Sequence, residues 1–65
     1  MNYYKVQFSY IRSGKRVYEY DEITASRAAD AAEEVRRYYN DLEGLRIEQV
    51  WIDTGAAWEV REFDY

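Results

Sequence analysis

The chain predicts one small α+β domain of β-β-α-β-β order: a four-stranded antiparallel sheet with a single helix packed across one face. Three observations carry that expectation. Each end of the chain holds two alternating polar and apolar segments with a glycine-bearing break between them, the mark of half-buried hairpins. The middle repeats apolar residues at three-four spacing, the mark of an amphipathic helix. With 65 residues, no proline and no low-complexity linker, there is room for one domain, residues 1–65.

Residues 3–11 (YYKVQFSYI) alternate, with Tyr4, Val6, Phe8 and Tyr10 on one side and Tyr3, Lys5, Gln7 and Ser9 on the other. Residues 16–23 (RVYEYDEI) read as the second strand, with Tyr18 and Tyr20 on the apolar side. A three-residue loop, Arg12-Ser13-Gly14, then sets Phe8 opposite Tyr18 and Val6 opposite Tyr20. A two-residue loop would set Phe8 against Glu19, so parity favours the longer one. It also gives Gly14 the left-handed place of a type I turn with a bulge.

Residues 26–43 (SRAADAAEEVRRYYNDLE) form the expected helix. Ser26 is placed to cap its start, and Gly44-Leu45 to stop it. Ala28, Ala31, Ala32, Val35, Tyr38, Tyr39 and Leu42 share one stripe, with Arg27, Asp30, Glu33, Glu34, Arg37 and Asp41 opposite. Residues 45–53 (LRIEQVWID) and 56–65 (AAWEVREFDY) supply the last two strands. Asp53-Thr54-Gly55 looks like a twin of Arg12-Ser13-Gly14, which sets Val50 opposite Trp58 and Ile52 opposite Ala56. Apolar phase slips along these strands, so bulges are expected near Glu48-Gln49 and near Arg61-Glu62. A strand order of 2-1-3-4 keeps every neighbour antiparallel, and other orders stay open. The face away from the helix would carry Tyr3, Lys5, Ile11, Val17 and Trp51, with Phe63 or Tyr65.

Composition narrows the chemistry. Cys and His are both absent, which removes disulfides, thiolate nucleophiles and the commonest zinc ligand and general base. A chain this short buries only ~60% of its unfolded surface, so stability must come from dense packing or a partner. Eight Tyr, two Trp and two Phe provide the bulk. The net charge of −4, from thirteen acids and nine bases, argues against a general nucleic-acid binder and suits a cationic partner. No apolar run approaches the ~18–20 residues of a membrane span, and no basic-then-apolar leader opens the chain, so a soluble cytoplasmic protein is expected.

The same residues admit several chemistries. Trp51-Ile52-Asp53-Thr54-Gly55-Ala56 resembles an aspartic-protease half-site, which needs two carboxylates sharing a proton across an axis. Here a long helix precedes the triplet and ten residues follow Gly55, so Asp53 is expected to serve its turn. Glu33-Glu34 has Arg36 and Arg37 within helical reach and reads as an ion-paired face. No loop has the alternating oxygen spacing of a calcium site, and no Gly-rich phosphate loop occurs, so neither metal nor cofactor is expected. Arg12, Lys15 and Arg16 beside Tyr10 and Tyr18 form a basic, aromatic hairpin tip that could hold single-stranded nucleic acid. Such a tip equally serves to keep a hairpin soluble.

The succession EITASRAADAAEEV, a Gly, RIEQV and a Gly-containing turn followed by Trp58 resembles small phage-encoded anti-CRISPR inhibitors of β-β-α-β-β form, over residues 22–58. That resemblance implies a non-enzymatic protein that occupies a nucleic-acid-binding surface of a CRISPR effector. The leading expectation is therefore a protein-binding module in a host cytoplasm. Its aromatic anchors would be Tyr3, Trp51, Phe63 and Tyr65, and its acidic helix face Asp30, Glu34 and Asp41. The alternatives are a nucleic-acid-binding or regulatory domain using Arg12, Lys15 and Arg16, and a homodimer formed through the open sheet face.

Overall fold

A computed structural model describes residues 1–61. In it β1 (Asn2–Arg12) and β2 (Lys15–Ala25) form a long hairpin, α1 (Ala28–Tyr38) follows, and β3 (Arg46–Asp53) and β4 (Trp58–Val60) close the fold. All neighbouring strands are antiparallel, as expected, and the order is β2-β1-β3-β4, one of those the sequence left open. The helix lies across one face of that open sheet.

The first turn is tighter than parity suggested. Arg12 pairs with Lys15, and Phe8 pairs with Glu19 rather than with Tyr18. Only Ser13 and Gly14 form the loop, both left-handed at φ 52° and 76°. This is the type I′ arrangement, whose twist matches that of the flanking strands. Parity alone assigns Tyr18 and Tyr20 to the core, but they are 55% and 58% exposed on the face away from the helix. Val17, expected on the open face, instead packs on the core with Ile23, while Ala25 is buried. Two acids share that side of β2, and each carboxylate accepts a phenol: Glu19 from Tyr10, and Asp21 from Tyr39 at 2.9 Å. Those bonds offset the cost of placing charge beside a core.

The core consists of Tyr4, Val6, Phe8 and Tyr10 from β1, Val50 from β3, Ala25 from β2, and Ala31, Ala32 and Val35 from the helix. Small alanines let α1 approach the sheet closely, and Tyr39 stacks on Phe8 with ring centroids 4.7 Å apart. Burying the Phe8 side chain contributes on the order of 1.5–3 kcal/mol. The helix is shorter than its apolar stripe implied. β2 runs on to Ala25, so Arg27 in extended conformation is the N-cap and Ser26 is not. Instead the Ser26 carbonyl accepts from Asn2 Nδ2 at 3.2 Å. The helix ends at Tyr38, which is 75% exposed rather than packed, and Tyr39 is the C-cap. The Asn40-Asp41 pair that follows competes for backbone hydrogen bonds and extends a helix poorly.

β1 and β3 pair Gln7 with Gln49 and then Phe8 with Ile47, leaving Glu48 as the extra residue of a bulge where one was expected. The last hairpin differs from its expected register. Asp53 pairs with Trp58 and Trp51 with Val60, so the loop is the four residues Thr54 to Ala57. Thr54 closes it: its N–H donates to the Ala57 carbonyl at 3.0 Å, and its Oγ1 accepts the Ala57 N–H at 3.2 Å. Ala56 and Ala57 are therefore turn residues, not the start of a strand. The shift moves Trp58 to the open face. The expected anchors Phe63 and Tyr65, the second bulge at Arg61-Glu62 and the continuation of β4 to residue 65 reach outside the described residues.

Candidate functional site: an aromatic sheet face around Lys5

The open face gathers side chains from all four strands. β1 contributes Tyr3, Lys5 and Gln7; β3 contributes Trp51; β2 contributes Tyr20; and β4 contributes Trp58 and Val60. Register explains the grouping, because Lys5 lies opposite Trp51 on β3, Gln7 opposite Tyr20 on β2, and Val60 opposite Trp51 on β4. Cross-strand neighbours on one face sit close enough for rings to touch. Tyr3 and Trp58 approach to 6.0 Å between centroids, as do Tyr20 and Trp51.

Lys5 is the hub of this surface. Its Nζ sits 4.9 Å from the Trp58 ring centroid, 5.3 Å from Trp51 and 5.4 Å from Tyr20. Each contact is a cation–π attraction worth ~0.5–1 kcal/mol at an exposed site. No carboxylate among the described residues lies within ion-pair range of that ammonium. The polar groups around it fix the rings: Tyr3 donates its hydroxyl to Glu22, and Gln7 Nε2 donates to the Tyr20 hydroxyl at 3.2 Å. The bond to Glu22 pushes the Tyr3 phenol above its ordinary value, with partial burial and the charges of Glu22 and Asp53 adding to it.

The other end of the same face is polar and internally satisfied. Ser9, fully buried, donates to Glu48 Oε2 at 2.5 Å and accepts from Arg16 Nη1 at 2.8 Å. Arg46 pairs with the same Glu48 oxygen at 3.1 Å. The Ser9 hydroxyl, foremost, holds the Glu48 carboxyl below its ordinary value; partial burial opposes the shift, and Arg46 and Arg16 assist it. Arg16 also donates to the Gly44 carbonyl at 3.0 Å, tying the hairpin to the turn before β3. Of the three tip cations, then, Arg16 is a structural tie, while Arg12 and Lys15 stay exposed beside the turn.

The acidic residues expected on the helix are on the far side of the sheet from Trp51. Asp30 pairs with Arg27 at 3.3 Å and Glu34 with Arg37 at 4.0 Å, beside Glu33 with Arg36 at 3.2 Å. Asp41 is exposed in the turn after the helix. One partner surface therefore does not meet both the aromatic anchors and this acidic stripe. Asp53 accepts the Gly55 N–H at 2.8 Å, the role of a turn aspartate. Among the described residues no three acids converge as a metal site, and no helix is long and apolar enough to cross a membrane.

Sequence reasoning placed Tyr3, Lys5 and Trp51 on this face but missed Tyr20 and Trp58, both displaced by the two hairpin registers. A signal for Tyr20 was present: Val17, Ile23 and Ala25 share the parity opposite to it, and a Gly in second place favours a two-residue turn. Among protein-family models, curated proteins and solved structures, no match to this chain is found.

Proposed function

We propose that this chain is a non-enzymatic protein-binding module that inhibits by covering, in the manner of the anti-CRISPR proteins its sequence resembles. The observation that carries the reading is the aromatic cluster of Tyr3, Tyr20, Trp51 and Trp58 around Lys5 on the sheet face that the helix leaves open. Trp and Tyr dominate the binding energy of protein interfaces, and this cluster presents both with polar groups at its rim. The proposed partner is a basic, nucleic-acid-binding surface of a host defence complex in the host cytoplasm, such as a CRISPR effector subunit. A net charge of −4 steers the chain toward such a surface, and Glu22 and Asp53 at the edge of the cluster can receive its Lys and Arg. The ion-paired helix acids contribute to that long-range field rather than to the contact.

A symmetric dimer through this face is the poorer reading, because stacking two copies would bring Lys5 near Lys5 in a desolvated centre. Nucleic acid on the hairpin tip is poorer too, since Arg16 is engaged by Ser9 and Gly44. The test is a gel-shift assay in which purified effector complexes bind their nucleic acid with and without this protein. Displacement that weakens at least about tenfold with Trp51→Ala or Trp58→Ala supports the proposal, as expected for interface anchors. Effectors that keep their nucleic acid at excess protein, or displacement indifferent to both tryptophans, overturn it.

A further inference from the structure

We propose that the outer edge of β2 is a strand-addition site for an extended basic segment of a partner protein. This inference does not rest on the open-face reading, although Tyr20 belongs to both surfaces. β2 runs eleven residues, pairs with β1 along its whole length without a bulge, and pairs with no other strand among the described residues. A long regular edge of that kind is a template for another strand.

The turn type decides which backbone groups face outward. In a two-residue type I′ hairpin the flanking pair, here Arg12 and Lys15, exchanges both hydrogen bonds, and the pattern then alternates. Lys15, Val17, Glu19, Asp21 and Ile23 therefore bond to β1, while Arg16, Tyr18, Tyr20, Glu22 and Thr24 turn their N–H and C=O groups away from it. Two observed bonds agree with this phase. The outward Glu22 N–H is taken by Asp21 Oδ1 at 2.9 Å, and Ile11, out of phase with Arg12 on β1, sends its N–H to the Glu43 carbonyl at 2.8 Å. Among the described residues the run from Arg16 to Tyr20 carries no such intramolecular cap.

Side chains select the occupant. Glu19, Asp21 and Glu22 lie on this strand, and none is ion-paired among the described residues. Each carboxylate is instead pinned by one phenol, from Tyr10, Tyr39 and Tyr3 respectively. A strand added here would find Glu19 and Asp21 on one face and the exposed rings of Tyr18 and Tyr20 on the other. Lys or Arg at alternate positions meets the acids, and the intervening apolar residues lie along the rings. For a second copy, antiparallel pairing centred on Tyr20 sets Glu19 against Asp21 twice, and pairing centred on Glu19 sets that residue against itself. Only the register centred on Tyr18, which sets Asp21 against Lys15, avoids the repulsion, and self-association without peptide reads it out. A polyanion is repelled by the three acids.

The probe is a short capped peptide of alternating Lys and Val, with the Glu-Val analogue as control, followed by amide NMR shifts and fluorescence anisotropy at low salt. The expected result is saturable binding of the Lys-Val peptide alone, with shifts and slowed hydrogen exchange centred on the Tyr18 and Tyr20 amides. Tyr18→Pro removes an outward N–H without touching the β1 ladder, and binding should weaken about fivefold or more. Glu19→Gln with Asp21→Asn keeps both acceptor oxygens for the phenols but removes the charges. It should weaken binding about threefold and flatten its salt dependence, and it carries the test if proline disturbs the strand. Trp58→Ala, whose ring contacts Tyr3 and Lys5, should bind the peptide like the unmodified protein, which separates this site from the open face. No binding, equal binding of the Glu-Val peptide, shifts centred elsewhere, or self-association through this edge without peptide overturns the proposal.

Discussion

Gly44→Ala and Gly14→Ala form a matched pair that separates backbone strain from packing. Both glycines are left-handed, at φ 62° and 76°. An alanine at either place therefore carries the same class of strain, about 1–2 kcal/mol. Their surroundings differ. A methyl at Gly14 meets nothing within 4 Å, whereas one at Gly44 would sit 3.0 Å from Ile11 Cγ1 and 3.2 Å from Arg16 Nη2. Carbon contacts are comfortable at about 3.5–4.0 Å, so Ile11 must retreat by about half an ångström and crowding adds about 1–3 kcal/mol. Arg16 cannot yield without loosening its bonds to Ser9 and the Gly44 carbonyl. Gly44→Ala should thus cost about 2–5 kcal/mol and Gly14→Ala about 1–2. A domain of this length has on the order of 3–10 kcal/mol to lose. Urea unfolding followed by Trp51 and Trp58 fluorescence measures both variants, and each kcal/mol should lower Tm by about 4–8 °C. In an Ile11→Ala background the excess at Gly44 should shrink. Equal losses at the two sites, or an excess that survives Ile11→Ala, would refute the packing argument.

The remaining predictions concern titration and the second turn. Tyr39 donates to Asp21, and that bond, with burial and the charges of Asp21 and Glu19, pushes its phenol up to about 12 from 10.0. A raised folded value means that this contribution is complete below pH 10.0 and is lost as pH rises toward about 12. Urea midpoints should therefore fall across that window, and Tyr39→Phe should make the fall shallower; an unchanged slope counts against the bond. Glu48 has the opposite sign, since its lowered folded value stabilises above its ordinary 4.5 and is lost as pH falls through the folded value. Glu48→Gln should flatten the acid limb of a pH–stability profile, and an unaltered limb would remove Glu48 from the account. Asp53→Asn keeps the acceptor for the Gly55 N–H, so it should change stability by no more than about 0.5 kcal/mol in a urea titration.

Which elements exist was legible; which way two of them face was not. Alternation in residues 3–11 and three-four spacing through Ala31, Ala32 and Val35 identify β1 and α1 because burial there is one-sided. The phase slip near Glu48 located the bulge because Ile47 and Val50 must both face the core side. β2 defeated the same logic through its tyrosines. A Tyr ring counts as apolar, yet its hydroxyl makes an exposed place comfortable, so Tyr18 and Tyr20 competed with Val17 and Ile23 for the core and the smaller residues took it. In the last hairpin the deciding groups were Thr54 and the Ala57 backbone, whose bonds lengthen the loop. Hydrophobic pattern carries no trace of such a closure. The candidate site inherits this division: Tyr3 and Trp51 sit on central strands whose faces were clear, whereas Tyr20 and Trp58 sit on outer strands whose faces depended on the turns.

An eleven-residue helix covers one side of a four-stranded sheet, and among the described residues nothing covers the other, so that side must be stable as it stands. Ordinary aliphatic residues there would form a sticky patch. The chain instead tiles that side with amphipathic rings and lays the Lys5 stem among them, its ammonium shared by Trp51, Trp58 and Tyr20. The contacts that keep the chain folded also hold the rings in place. On the proposed reading, association at this face then freezes few new rotamers, which lowers the entropic cost of binding. The packing that protects the open face would in that case also prepare it as an interface, and Lys5, more than any one ring, is the residue on which the packing turns.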